Sequence, residues 1–447
     1  MASFTNSGTI KGSTGVYFNT NSDVTVTNSG LIQGTDGTSI RFGDGSDTLD
    51  LVTGGKFMGY VEFGNGVNTF DFSKYRGNMD FWYKGTLASP DILNGSNLYV
   101  TPVPGHEIVI VDDAAIRFSS QPIVDLVNGI TDLVDSQFDD SSGLPDAVAN
   151  YAPMRLKTPA EAAVDKAVAA PIDSGRRIWA KAIGGGSSVS DTDHVTDGFG
   201  ALVAGTDVQM SAGTRVGVLG GYSHSVLDIV DGSQKITGDT GFLGVYGKSD
   251  LGSVMLDFQV LAGASANASS RNISTQTGME TATANFTGWF IAPQVGVTVP
   301  VMKIDNGEIS VVGKLGYIGG GFSGYTETGS SLGLAVGSQT IGVLTSYAGL
   351  ADDMVLGKTG GGDIKGKAAI GVFTQTNMGG SAVPVSVLGF DTGGSPAPTG
   401  TTYGLKGGVN FDVPIGASAS IGAGVNASVR NDGQVAGSAN IKISGSY

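Results

Sequence analysis

Histidine, carboxylate and glycine-rich segments are where this sequence could hold chemistry. The three histidines, His106, His194 and His224, lie far apart along the chain. Only Asp191-Thr192-Asp193-His194 groups an imidazole with carboxylates, and a short polar run between strand-like segments reads as a solvated loop before it reads as a metal site. A nucleophilic triad needs a serine on a tight strand-to-helix elbow, and no Gly-x-Ser-x-Gly opens a helix after a strand. Neither a phosphate-cradling loop nor a dinucleotide turn occurs in a βαβ setting. The carboxylate pairs Asp112-Asp113 and Asp352-Asp353 are adjacent, so on a strand they point to opposite faces and cannot share a proton. With no cysteine there is no thiolate nucleophile, thiolate metal site or disulfide framework. No enzymatic activity, cofactor or metal is expected.

The elements that would carry function are therefore structural. Gly makes up 73 of 447 residues and DEKR only 15%, a composition that disfavours helix and favours strands and turns. A formal charge of -15 argues against a nucleic-acid partner, whose phosphates require Lys and Arg. No run of 18 apolar residues exists, so the chain could cross a bilayer only as a closed barrel. Met1-Ala2-Ser3 leads directly into a repeat without a basic or apolar leader, so a longer secreted chain is expected upstream.

That repeat sets the first domain. Thr5-Asn6-Ser7-Gly8 recurs as Thr27-Asn28-Ser29-Gly30, each followed by an apolar-polar-Gly step, Ile10-Lys11-Gly12 and Ile32-Gln33-Gly34. A degenerate third copy runs through Gly55, Phe57-Met58-Gly59 and Val61-Glu62-Phe63-Gly64. The spacing of about 22 residues fits one coil of a right-handed β-solenoid, with Asn laddering along the axis. Gly43-Asp44-Gly45-Ser46-Asp47 and Gly64-Asn65-Gly66-Val67-Asn68 resemble calcium-binding nonapeptides. They lie one coil apart rather than nine residues apart, so a turn that needs Gly is the stronger reading. Residues 1–72 are read as solenoid coils and 73–118 as strands that cap them.

From Gln121 to Phe138 an apolar stripe of Ile123, Leu126, Val127, Ile130, Leu133, Val134 and Phe138 predicts a helix, with Asp125, Asp132 and Asp135 on other faces. A second, Ala-rich helix is expected from Thr158 to Ala170. In this connector, 119–175, the first stripe could pack on a neighbouring domain or plug a barrel, although a wet lumen would favour a more polar helix.

Beyond Arg176, strands are expected to start near Arg177, Phe199, Thr214, Thr240, Ser253, Thr287, Glu308, Gln339, Asp363, Thr402, Ser418 and Gly437. Val254, Leu256, Phe258, Val260 and Ala262 alternate with Asp257 and Gln259. Tight turns such as Ser211-Ala212-Gly213 and Asp305-Asn306-Gly307 alternate with long excursions such as Ala266 to Asn285 and Met378 to Thr401. An even strand count with short turns on one rim and long loops on the other suits an outer-membrane barrel better than a soluble sandwich. Lys181, Asp257, Gln259, Lys314 and Lys442 are assigned to the lumen. Trp179, Tyr222, Tyr246, Trp289, Tyr317, Tyr347 and Tyr403 are assigned to an aromatic girdle at the headgroup layer.

Asn-Ser-Gly-x-Ile coils, a helical connector, Arg177-Ile178-Trp179-Ala180, Gly198-Phe199-Gly200, Gly217-Val218-Leu219-Gly220-Gly221-Tyr222-Ser223 and Gly278-Met279-Glu280 together resemble the autotransporter family of type Va secretion. The resemblance implies an all-β protein: a β-solenoid passenger, a helical connector and a 12-stranded antiparallel barrel, 176–447, in the outer membrane of a Gram-negative bacterium. It further implies a monomeric barrel in contact with outer-membrane lipid and with the assembly machinery that recognises a final strand, here Ile441, Ile443 and the terminal Tyr447. Relatives mostly end in Phe or Trp, and some cut the connector at paired Asn, which is absent here. The passenger would be adhesin-like, with no ligand legible. The alternatives are a porin-like channel with incidental coils and a soluble β-helical enzyme with an appended sandwich.

Overall fold

Short strands punctuated by Gly, Asn and Ser stack at the N-terminal end of the computed structural model, which describes residues 2–85, 87, 98–103, 106–138, 175–189, 194–211, 213–229, 232–415 and 418–446. Strands β1 (Ala2–Asn6), β4 (Val24–Asn28), β6 (Thr48–Val52) and β8 (Thr69–Lys74) form one parallel sheet. A second parallel face links β2 (Thr9–Gly12) and β3 (Val16–Tyr17) to β5 (Leu31–Arg41), then to β7 (Lys56–Glu62) and β9 (Asn78–Lys84). Each residue therefore pairs with its counterpart one coil later, as Phe4 does with Val26 and Ile10 with Ile32.

Val24, Val26, Ile32, Ile40, Leu49, Phe57, Val61 and Phe70 fill the solenoid interior. Phe18, Phe42 and Phe63 stack along the axis at 5.6 and 5.2 Å between ring centroids. Asn6 Nδ2 donates to Asn28 Oδ1 at 2.8 Å, the expected ladder. Asp47 and Asn68 lend side-chain oxygens to the backbone N–H groups of Val24 and Asp47, both at 2.9 Å. Gly66 sits at φ +110°, in the left-handed region where a side chain would strain the turn.

Antiparallel pairing replaces the coils at the end of the solenoid. There β10 (Leu98–Val100) joins β11 (Glu107–Val111), and β11 pairs with β9. A turn of helix, α1 (Ala114–Arg117), leads into α2 (Gln121–Phe138).

Twelve long strands then roll into a barrel. They are β12 (Arg176–Val189), β13 (Val195–Ser211), β14 (Thr214–Ile229), β15 (Gln234–Asp250), β16 (Met255–Thr275), β17 (Gly278–Ile304) and β18 (Gly307–Phe322). Following two short strands, β19 (Tyr325–Thr326) and β20 (Leu334–Val336), come β21 (Gln339–Thr359) and β22 (Gly362–Met378). Two more, β23 (Val385–Val387) and β24 (Phe390–Asp391), precede β25 (Thr399–Pro414), β26 (Ala419–Arg430) and β27 (Gln434–Ser446).

Neighbours are antiparallel throughout, and β27 returns to β12 from Arg177↔Ser446 to Val189↔Gln434, closing the sheet. Closure leaves no edge strand, so backbone groups along the wall pair between neighbouring strands, with bulges at Gln209/Ser211, Pro300/Met302 and Val355/Gly357. Leu202, Leu243, Ile370, Leu405, Ile441 and Ile443 stand exposed on the outer face, where lipid rather than water is the compatible solvent.

The expected excursion from Ala266 to Asn285 is instead a hairpin. There β16 and β17 stay paired to Thr275↔Gly278, well past Gly288↔Phe322, where the pairing of β17 with β18 ends. Ser and Thr alternate there with apolar residues, so the strand pattern persists beyond the height a bilayer needs. The helix expected at Thr158–Ala170 lies outside the described residues.

Ile32 is fully enclosed between coils. Replacing it by Ala should cost about 2–5 kcal/mol. Protease should then digest residues 2–84 while the barrel keeps its mobility shift between boiled and unboiled gel samples.

Candidate functional site in the barrel lumen

The stripe on α2 finds an apolar wall. Ile123, Leu126, Val127, Ile130, Leu133 and Val134 are buried against Ile183, Phe199, Val203, Leu219, Leu227 and Phe242, among others, on the inner faces of β12 to β15. Each such side chain contributes roughly 1.5–3 kcal/mol when buried. Half of this lumen is thus dry, which explains why an apolar helix fills it. The side chain of Phe138 lies outside the described residues.

The opposite helix face is polar and meets polar strands. Asp132 pairs with Lys406 at 2.7 Å, Asp135 pairs with Lys314, and Thr131 accepts from Gln259 Nε2 at 3.0 Å while donating to Gln294 at 3.1 Å. Lys181 donates to the Leu133 carbonyl at 2.6 Å and to Ser136 Oγ at 2.7 Å, placing a cation near the negative, C-terminal end of the helix. These partners come from β12, β16, β17, β18 and β25, so the helix is held from several sides of the lumen. Gln121 sits near the long-connection rim and Ser136 toward the short-turn rim. Between α2 and the polar wall remains a cavity of about 210 Å³, lined by Asp257, Lys314, Tyr347, Lys367 and Lys406 among others.

The lumen assignments Lys181, Asp257, Gln259, Lys314 and Lys442 all face inward, Lys442 beside Asp412. Three girdle assignments are corrected. Trp179 and Tyr246 are fully buried inside the barrel, where Trp179 Nε1 donates to Tyr246 Oη at 2.6 Å and Tyr246 Oη donates to Asp207 at 2.9 Å. Tyr347 lines the cavity. Their polar tips find partners in the lumen that lipid could not offer. Parity gave the signal: Trp179 stands two residues from Lys181 and so shares its face. Tyr222, Trp289, Tyr317 and Tyr403 do face outward.

Asp207 was not singled out from the sequence. It takes Arg177 at 2.9 Å and Arg215 at 2.6 Å in a buried cluster beneath Trp179. Gly205 and Gly217 make room for it, since a Cβ at either would come within 2.4 Å of the Trp179 or Tyr246 ring.

A closed barrel of twelve strands threaded by α2, with coils beyond one rim, narrows the comparison with known proteins. Residues 178–432 match the Autotransporter beta-domain. The chain belongs to the autotransporter family. No curated protein matches the chain.

Among solved structures, the translocator domain of the autotransporter NalP from Neisseria meningitidis is 20% identical, covers 64% of this chain and 94% of its own, and has a TM-score of 0.50. The beta domain of the Bordetella autotransporter BrkA is 16% identical over 62% of this chain and 100% of its own, with a TM-score of 0.47. The transport unit of AIDA-I from Escherichia coli is 15% identical over 69% and 97%, with a TM-score of 0.43. This autotransporter is an outer-membrane translocator, and its barrel is a transporter rather than an enzyme.

In the last strand of the autotransporter, Ile441 and Ile443 point outward while Asn440, Lys442 and Ser444 point inward. Tyr447 lies outside the described residues. At the base of the solenoid, Glu107 on β11 and Asp80 on β9 share a hydrogen bond. Burial, then the charge of Asp80, pushes the Glu107 carboxyl up to about 7.

Two outcomes follow for the autotransporter. Asp207→Ala leaves two guanidiniums without their buried carboxylate and should cost about 3–5 kcal/mol, read as a lower urea midpoint for loss of the unboiled gel form. Glu107, raised in the folded state, adds stability below its unfolded value near 4.5, and that stability is lost as pH rises through about 7. Proteolysis of the solenoid base should therefore quicken from pH 5.5 to 8, and Glu107→Gln should flatten the dependence.

Proposed function

We propose that this autotransporter exports and displays its own β-solenoid, an adhesin-like passenger, on the cell surface. In this reading residues 1–72 are passenger coils, 73–118 their cap, 119–175 the connector and 176–447 the membrane anchor. The observation that carries it is the path of the chain. The solenoid sits by the long-connection rim, and α2 runs from that rim through the lumen toward the end where β12 begins. A passenger that had passed through the barrel would leave its connector in that place.

A porin-like channel fits less well with a lumen half filled by apolar packing. The chain is proposed to carry no enzymatic activity, and the barrel to be monomeric. It is proposed to be inserted by the assembly machinery through its final strand, with outward Tyr222, Trp289, Tyr317 and Tyr403 meeting the headgroup layers.

The test is surface exposure in intact cells. External protease should release the solenoid from the parent, whereas Ile441→Lys, which sets a charge against lipid at a cost of about 2–4 kcal/mol, should lower both the heat-shifted barrel and the surface solenoid together. A solenoid that stays protected from external protease in the parent would refute display.

A further inference from the structure

The helix does not fill the lumen. The cavity on its polar side is lined by helix residues from Asp125 to Ser136 and by wall residues from Met255, beside a short turn, to Gly186 and Gln375, nearer the opposite rim. At about 1.5 Å rise per residue, this wet crevice follows most of the helix. Asp, Lys, Asn, Gln and Ser line it along its length, interspersed with Phe199, Val312, Ala369 and Phe373. Such a crevice is a path for water and small ions unless something else blocks it.

Above the helix the surroundings change to a dry core. The β18–β21 and β22–β25 connections, residues 323–338 and 379–398, zip together as a four-stranded sheet. In it Leu334 pairs with Val387, Ala335 with Ser386 and Val336 with Val385. The apolar face of this sheet, Leu332, Leu334, Val336, Val383, Val385 and Val387, is buried against Val100, Val109, Val111, Ile116, Ile273 and Ala282. One core thus joins two external connections, the end of the solenoid, α1 and the protruding hairpin.

Polar ties lock this lid. Arg271 on β16 and Glu327 form a buried pair at 2.6 Å, and Arg271 also donates to the Leu332 carbonyl at 2.7 Å while Glu327 accepts from Leu334 N at 2.9 Å. The segment just before α2 is bolted across the mouth. The Asp112 carbonyl accepts from Gln234 on β15 at 2.7 Å, and Asp113 accepts from Ser395 of the second connection at 2.8 Å. Ser119 donates to Gln339 at the start of β21 at 2.7 Å.

The geometry points to a division of labour: the apolar lid and the bolted segment seal the outer mouth, while the helix fills volume and leaves a dead-end aqueous crevice. A hydrophobic constriction blocks ion flow far better than a polar gap of the same width.

Full-length protein in planar bilayers tests this. Leu334→Asp with Val385→Asp sets charges in the lid core and should raise single-channel conductance clearly above the parent level, provided the barrel keeps its heat-shifted gel form. Asp132→Ala with Asp135→Ala frees the polar helix face from Lys406 and Lys314 but spares the lid, and should leave conductance at the parent level. Should the lid variant fail to assemble, Ser395→Ala with Gln339→Ala removes two bolts without touching the apolar core and serves as the same test. A folded lid or bolt variant that stays closed, or a helix-face variant that opens alone, would overturn the assignment.

Discussion

A backbone in hydrocarbon has nothing to bond but itself, and the pairing of β27 with β12 meets that demand by removing the last free edge. Everything else rests on this closure. It fixes which face of each strand meets lipid, and so lets Leu202, Leu243 and Ile370 stand outside while Lys181, Gln259 and Lys442 turn inward. It also creates an interior that must be filled or wetted, and this chain does both, on opposite walls.

The two walls differ because their sequences differ. Inward positions of β12 to β15 carry Trp179, Ile183, Phe199, Leu219, Phe242 and Tyr246, and the helix answers with its own apolar stripe. Inward positions of β18, β22 and β25 carry Lys314, Lys367 and Lys406, and the helix answers with Asp132 and Asp135. Both polarities of an amphipathic helix are therefore matched within one barrel, which fixes its rotation as well as its presence. A simple rule of lipid-loving outside and water-loving inside describes only the second wall.

Local pattern carried much of this architecture. Two strand starts, Thr214 and Gln339, fall where alternation placed them, and most others within a few residues, because period-two patterning is a local property. Coil pairing was legible from the Asn-Ser-Gly spacing, since stacked coils repeat the same contact. Trp179, Tyr246 and Tyr347 turn inward because the parity of the strand, not the aromatic character of the residue, decides which face a side chain takes. Neither the lid nor the Asp207 cluster could be read from local signals. Leu334 meets Val387, and Asp207 meets Arg177, only after the strands between them have closed.

The short parallel pairing of β9 with β16, at Ile273↔Asn78 and Ser274↔Met79, has a mechanical consequence. Asn78 is buried there and also accepts from Asp112 N at 3.1 Å. A pull on the far end of the solenoid enters the wall at this seam. Tension thus flows into a strand that runs the height of the membrane and on through its ladder of neighbours, so α2 does not carry the load alone.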